Sequence, residues 1–300
     1  MKKTHVIGVD IGGTNIRIGL MDAKANLKKV VNIPTQKEKG VKDVLRRLFL
    51  SLDVIIKNNK VKIKGIGIGC PGPLDDKKGI IISPPNLVDW HGLKLKKIVE
   101  AKYKCKVAIE NDANCAAMGE FIQGAGKPYN DTVLLTLGTG VGSGVIIDKK
   151  LLRGRGFAAE LGHVSLNPKG PKCGCGKKGC LEAYSSATAM VKNAKKTIKN
   201  KEITAKYLFS EAKKGNKKAK LIVDEAIFYL TVAIGNCANA FNPDAIILSG
   251  GIVKSGSYLF TNIKKQLKEQ ALAVTLKDLK ILPAKLGQDA GIIGAGWLVV

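Results

Sequence analysis

Two aspartates stand where an apolar run gives way to small or polar residues. Asp10 follows Val6-Ile7-Gly8-Val9 and opens Asp10-Ile-Gly-Gly-Thr-Asn-Ile-Arg17; Asp112 lies in Glu110-Asn111-Asp112-Ala-Asn114. Gly12 and Gly13 let the backbone turn so that amide N–H groups, beside Thr14, face an anion. A carboxylate at the end of that strand suits a hydrated Mg²⁺. The same residues would also make an ordinary hairpin turn. In Gly138-Thr139-Gly140-Val-Gly-Ser-Gly144, glycine recurs at every second residue. That spacing weakens a plain strand and suits close approach of backbone to a ligand. Asp112 either caps the helix that starts there or acts as a general base at the carboxyl end of a strand, where α/β sheets hold ligands.

A third cluster has metal-ligand spacing. Cys173-Gly-Cys175-Gly-Lys-Lys-Gly-Cys180 is preceded by His163, with nine residues between His163 and Cys173. Three thiolates and one imidazole close a tetrahedral zinc shell, which makes such a zinc structural; free loop cysteines are the alternative. Cys70, Cys105, Cys115 and Cys237 read as small buried apolar residues. Glu160 and Glu182 flank the cluster, and carboxylates beside an imidazole suit sugar hydroxyls or simply a polar loop surface. Generic glycine patterns carry less. Gly67-Ile-Gly69-Cys-Pro-Gly72 and Gly174-Cys-Gly176-Lys-Lys-Gly179 both fit G-x-G-x-x-G, but Pro71 and Pro73 do not suit a dinucleotide-binding helix start. The chain has no Walker A sequence.

The elements that must position these residues follow from periodicity. Strands are predicted over 5–11, 16–21, 26–33, 64–69, 107–109, 133–137, 145–147 and 245–249. Val41, Val44, Leu45, Leu48, Leu52 and Ile55 share one face of a predicted helix over 41–57. Further helices are predicted over 93–103, 112–124, 205–214, 217–241 and 288–300, with a loop-rich stretch over 150–182. Strand, glycine turn, strand and aspartate occur twice, ending at Asp22 and at Asp148, which reads as a weak internal repeat. Alternating strands and helices imply an α/β fold of two similar lobes with a cleft between them. The lobes are expected at 1–116 and 117–287, with helix 288–300 packing back on the first.

Composition narrows the class. The chain has 300 residues, 45% of them hydrophobic, enough for two modest cores. The net charge of +26 comes mainly from lysine; only Arg17, Arg46, Arg47, Arg153 and Arg155 are arginine. Scattered lysines without an aromatic stripe read as a solvated cationic surface that favours anionic substrates, not as a nucleic-acid interface. The apolar stretch after Lys3 breaks at Asp10, too soon for a signal peptide. No run approaches the ~18 apolar residues a membrane span needs. Cytoplasmic location without nucleic-acid or membrane partners is the expectation.

These motifs, in this order, resemble the ROK family of repressors and sugar kinases, nearly end to end. The most specific segment is Gly162-His163, nine residues, then Cys-x-Cys-Gly-x-x-Gly-Cys-x-Glu. The resemblance implies two ribonuclease-H-like lobes of the actin/hexokinase-like ATPase group and an ATP-dependent sugar kinase. It implies Asp10, Gly12, Gly13, Thr14 and Arg17 at a first phosphate loop, Gly138, Thr139 and Gly140 at a second, and Gly250 and Gly251 at an adenosine turn. It also implies Gly72, Asn86, Asn111, Asp112, Glu160, His163 and Glu182 at the sugar, Asp112 as catalytic base, and His163, Cys173, Cys175 and Cys180 on structural zinc. His163 would bind zinc through one nitrogen and face the sugar with the other. ATP, Mg²⁺ and zinc are the implied cofactors, and a homodimer or tetramer the implied assembly. The stretch 109–120 with Phe121 is most similar to glucokinases of the family; N-acetylmannosamine, N-acetylglucosamine, fructose and allose remain alternative acceptors, and a non-catalytic sugar sensor is the alternative of another class. Many members have glycine where this chain has Ala159. Repressor members carry an N-terminal helix-turn-helix, whereas nine residues precede Asp10 here, which argues for the kinase branch.

Overall fold

The computed structural model describes residues 4–84, 87–199 and 202–300. Two compact units divide the chain. The first holds the residues up to Lys127, Leu151–Ala158 and Lys285–Val300; the second holds Pro128–Lys150 and Ala159–Ala284.

In the first unit, β1 (Thr4–Ile11) and β2 (Asn15–Asp22) form an antiparallel hairpin in which Asp10 lies opposite Arg17. β3 (Leu27–Pro34) extends it antiparallel, and α1 (Gly40–Asn59) follows. The α1 stripe Val44, Leu45, Leu48, Leu52 and Ile55 is buried, as its spacing predicts. β4 (Lys62–Cys70) pairs parallel with β1. After a short hairpin of β5 (Leu74–Asp75) and β6 (Ile80–Ile81) come α2 (Leu95–Tyr103), β7 (Lys106–Asn111), parallel to β4, and α3 (Asp112–Gln123). The sheet order is β3-β2-β1-β4-β7. The lobe boundary expected at 116/117 falls inside α3, and this unit runs on to Lys127.

The second unit repeats the plan. β8 (Thr132–Leu137) and β9 (Val141–Ile147) are an antiparallel hairpin, followed by β10 (Lys150–Leu151). The glycine turn is therefore 138–140, shorter than the stretch between the strands predicted over 133–137 and 145–147. Gly142 and Gly144 already pair with Thr136 and Leu134 across the hairpin, so the ladder tolerates the glycines that suggested a longer turn. The helices are α4 (Glu182–Ser185), α5 (Ala187–Ala194), α6 (Ala205–Lys213) and α7 (Lys217–Phe241). β11 (Ala245–Ser249), α8 (Ser257–Leu267), α9 (Ala273–Leu276) and β12 (Lys280–Pro283) complete the unit. Its sheet order, β10-β9-β8-β11-β12, matches the first position for position.

α7 corrects one expectation. By length and composition it is apolar enough to cross a membrane, since residues 226–241 carry no charged side chain. Here it is a core helix: Ile222, Val223, Ile227, Leu230 and Ile234 are buried, and it packs against α6 and α8.

The last helix, α10 (Asp289–Trp297), belongs to the first unit and packs on α3, β1 and β4. It does so through glycine. A Cβ on Gly8 would lie 1.8 Å from the Ile292 carbonyl oxygen, and one on Gly67 1.7 Å from that of Ala295. A Cβ on Gly119 of α3 would meet the Ala290 oxygen at 2.0 Å. Backbone touches backbone at all three points, which no larger residue permits.

Candidate active site

Each unit carries part of the constellation. In the first, the 12–15 turn is closed by Gly12 N–H donating to the Asn15 carbonyl at 2.9 Å. Thr35 braces it: its N–H donates to the Thr14 carbonyl at 2.7 Å and its hydroxyl to that of Gly12 at 2.6 Å. Asp10 is the last but one residue of β1 and lies beside α10, where a Cβ on Gly291 would come within 2.5 Å of the Asp10 Oδ2. The Arg17 guanidinium ion-pairs with Asp289 and donates to Gln288 Oε1 at 2.9 Å, so it is tied to the start of α10. Its Nε is buried without a partner among the described residues.

Asp112 is the first residue of α3, but Asn111 is the cap. The Asn111 Oδ1 accepts the Ala113 N–H at 2.9 Å and the Asn114 N–H at 3.2 Å. Asp112 Oδ1 accepts the Ala113 N–H at 2.9 Å. Both aspartates keep some solvent contact, yet dense protein surrounds their carboxyls. Burial, then the Asp112 charge, push Asp10 up to about 7, against the pull of Arg17. Burial likewise raises Asp112, against the Ala113 hydrogen bond. Burial and the nearby carboxylates keep the thiols of Cys70 and Cys115 protonated. A buried hard-oxygen donor whose charge is disfavoured by burial and by Asp112 is what a divalent cation relieves, so Asp10 fits Mg²⁺. Gly72 lies just past β4. Asn86 lies outside the described residues.

In the second unit the 138–140 turn is closed by Gly138 N–H to the Gly140 carbonyl at 3.0 Å. Gly250 lies directly beneath it: φ is +98°, and a Cβ there would sit 2.3 Å from the Leu137 carbonyl oxygen. Only glycine brings residue 250 that close to Leu137, the last residue before the 138–140 turn. Glu182 braces the loop from another side, its Oε2 accepting the Val141 N–H at 2.9 Å. A Cβ on Gly140 would meet that oxygen at 2.4 Å. The other carboxylate oxygen lies 3.7 Å from the Cys173 sulfur. A cavity of about 730 Å³ opens beside Thr139, lined among others by Lys172, Glu182, Tyr184, Lys192 and Lys196.

The ligand atoms of His163, Cys173, Cys175 and Cys180 all lie within 4.8 Å of one another. Cys173 Sγ is 3.8 Å from His163 Nδ1, and Cys175 Sγ is 3.6 Å from Cys180 Sγ. Metal–ligand bonds of about 2.0–2.3 Å to imidazole and thiolate put tetrahedral edges near these lengths. The four residues fit a metal, with Nδ1 on the metal side and Nε2 as the remaining nitrogen. Glu160 precedes the single 3₁₀ turn Leu161–His163, whose His163 N–H bonds the Glu160 carbonyl at 3.0 Å.

Residue patterns did not single out Ser143 or Arg153. The Ser143 hydroxyl donates to the Ala159 carbonyl and accepts the Leu161 N–H at 3.0 Å, so it fixes the segment carrying Glu160. The only hint was its place in the glycine-rich run. Arg153 bonds Glu110, a pair 43 residues apart that no local pattern announces.

The chain matches the model of the ROK family over residues 6–300. It belongs to the ROK family. A glucokinase of Thermotoga maritima is 36% identical, with all of this chain and 98% of that protein aligned. A xylose repressor of Bacillus subtilis is 30% identical, with all of this chain and 78% of the repressor aligned. Among solved structures, a ROK hexokinase from Thermus thermophilus superposes with TM-score 0.88 at 32% identity, covering 98% of this chain and 97% of that one. A ROK glucokinase from Streptomyces griseus, solved with glucose and AMPPNP, gives TM-score 0.81 at 33% identity with 98% of each chain covered. This ROK chain therefore has the actin/hexokinase-like ATPase fold, and the repeated sheet order is the trace of its two related halves.

Proposed function

We propose that the protein is a sugar kinase that transfers the γ-phosphoryl group of ATP to the 6-hydroxyl of glucose. The observation that carries this reading is Asp112. It sits at a strand-to-helix junction with its burial-raised carboxyl relieved of capping by Asn111. A base with an elevated pKa, placed at the carboxyl end of a sheet, suits removal of a hydroxyl proton as the oxygen attacks phosphorus. The full-length likeness to glucokinases supports glucose as the acceptor.

In this reading the 12–14 and 138–140 turns present backbone N–H groups to the phosphates. The cavity beside Thr139, with three lysines on its wall, takes the nucleotide. Asn111, Glu160, His163 through Nε2, and Glu182 orient the sugar, as do Gly72 and Asn86. Asp10 holds hydrated Mg²⁺, which when bound supplies positive charge against the phosphate oxygens. Zinc on His163, Cys173, Cys175 and Cys180 is structural and fixes the loop that carries His163. With Glu182 bonded to Val141 and close to Cys173, the metal loop also steadies the second phosphate turn. Cytoplasmic location and a homodimer complete the proposal.

Asp112→Asn is expected to fold, keep one equivalent of zinc by metal analysis and lose turnover by ~100-fold or more in a coupled ADP-release assay. Near-normal turnover would remove Asp112 from the role. Screening hexoses and N-acetylhexosamines in the same assay tests the acceptor. The likeness to a xylose repressor favours a second reading, a sugar sensor without catalysis; a wild-type protein that bound a hexose but released no ADP would establish it.

A further inference from the structure

Glu110 immediately precedes Asn111 and Asp112, and it is 2% exposed. A carboxylate that deep is tolerated only with charge and hydrogen-bond partners. Its two oxygens divide the work. Oε1 accepts the Asn111 N–H at 2.9 Å and the Asn114 side-chain amide at 3.0 Å, on either side of Asp112. Oε2 accepts Arg153 Nε at 2.7 Å. The same Nε also ion-pairs with Asp76 at 3.6 Å, too long for a hydrogen bond, so Glu110 is its hydrogen-bonded partner. Arg153 arrives from Leu151–Ala158, the segment of the first unit that leads into Ala159 and Glu160.

We infer that Arg153 is a positioning residue for phosphoryl transfer: its guanidinium holds the buried Glu110 carboxylate, and that carboxylate clamps the junction carrying Asn111 and Asp112. The inference rests on the kinase reading above. Without the guanidinium, Glu110 is a buried anion with no cation on it. Any relaxation, by rotating outward or admitting water, releases the Asn111 N–H and the Asn114 amide together. A shift of about 1 Å in a reacting group costs up to ~100-fold in rate.

The test compares wild type, Arg153→Met, Arg153→Lys, Glu110→Gln and the Glu110→Gln/Arg153→Met pair by kcat, by KM for hexose and for ATP, and by thermal melting. Arg153→Met should lower kcat by ~10-fold or more and raise the hexose KM, with the ATP KM unchanged. Arg153→Lys should recover most of the loss. With Gln at 110 no buried charge needs a partner, and its Oε1 still accepts both bonds. Removing Arg153 should then cost less than about 3-fold, a coupling that a general effect on folding does not produce. Should Arg153→Met not fold, the comparison within the Glu110→Gln background decides. Wild-type kcat and KM in Arg153→Met, or an equal loss with Glu and Gln at 110, overturns the inference while Asp112→Asn still reports on the kinase reading. A wild type inactive on every hexose overturns both.

Discussion

An aspartate in the first turn of a helix is ordinarily a cap, and Glu-Asn-Asp-Ala-Asn allows that role to either Asn111 or Asp112. The structure divides the duties, since Asn111 takes two helix N–H groups and Asp112 one. Burial, and the charge of Asp112, push the Asp10 carboxyl up to about 7. An acid whose folded pKa is raised destabilises the folded state when ionised. Below the ordinary value of 3.8 both states are protonated and nothing is lost; the penalty grows between 3.8 and about 7 and is complete above. Asp10→Asn in magnesium- and nucleotide-free protein should therefore raise the melting temperature at pH 8 by a few degrees, with the gain vanishing near pH 4. No gain at pH 8 would mean that solvent reaches the Asp10 carboxyl. At this scale the sequence showed residues whose neighbours along the chain define them, such as Asp10, Asp112 and the cysteines. It did not show Glu110–Arg153, because two residues 43 positions apart leave no spacing to read.

Elements were legible where burial has a period. α1 and α7 display their buried stripes, and both lie within a few residues of the predicted limits. α8 escaped although Leu259, Ile263 and Leu267 recur every fourth residue, because Gly256 and the polar residues between them read as loop. β12 is a four-residue strand with no fully buried side chain, too short for a period. α10 was anticipated as a helix on the first lobe, but its fit depends on glycines in three other elements that no helix pattern reveals. Gly67→Ala should force the Ala295 carbonyl away and destabilise the protein by about 3 kcal/mol or more, measured by denaturant unfolding. A loss below about 1 kcal/mol would show that α10 can slide without cost. Ala159 illustrates the opposite case. It stands at φ +65°, where an L-residue is strained and glycine is not. Ala159→Gly should accordingly stabilise by up to about 1 kcal/mol in the same denaturant unfolding, and a loss of stability would show that the left-handed backbone is not strained.

The whole molecule shows one sheet order twice, and this was visible in the sequence only as two hairpins ending at Asp22 and Asp148. The later strands of each sheet come after long helical insertions, which blur the repeat. Net charge belongs to this scale too. At +26 the surface should draw in an anionic nucleotide. Raising KCl from ~0.05 to ~0.5 M should lower kcat/KM for MgATP about threefold or more while kcat holds. If kcat/KM is flat with salt, the lysines do not steer the substrate.

α10 also sets a schedule for synthesis. Its nine residues fill a slot between α3 and the first sheet, yet they are translated after every strand of the second unit. While the ribosome makes the intervening residues, the slot over Gly8 and Gly67 is an open apolar groove in a half-built unit. The second unit has all its strands first and so can close first; the unit begun earliest is the last to become native. A nascent chain stalled before Asp289 should yield a protease-resistant fragment from the second unit and none from the first. That order also leaves the groove over Gly8 and Gly67 waiting longest for its cover.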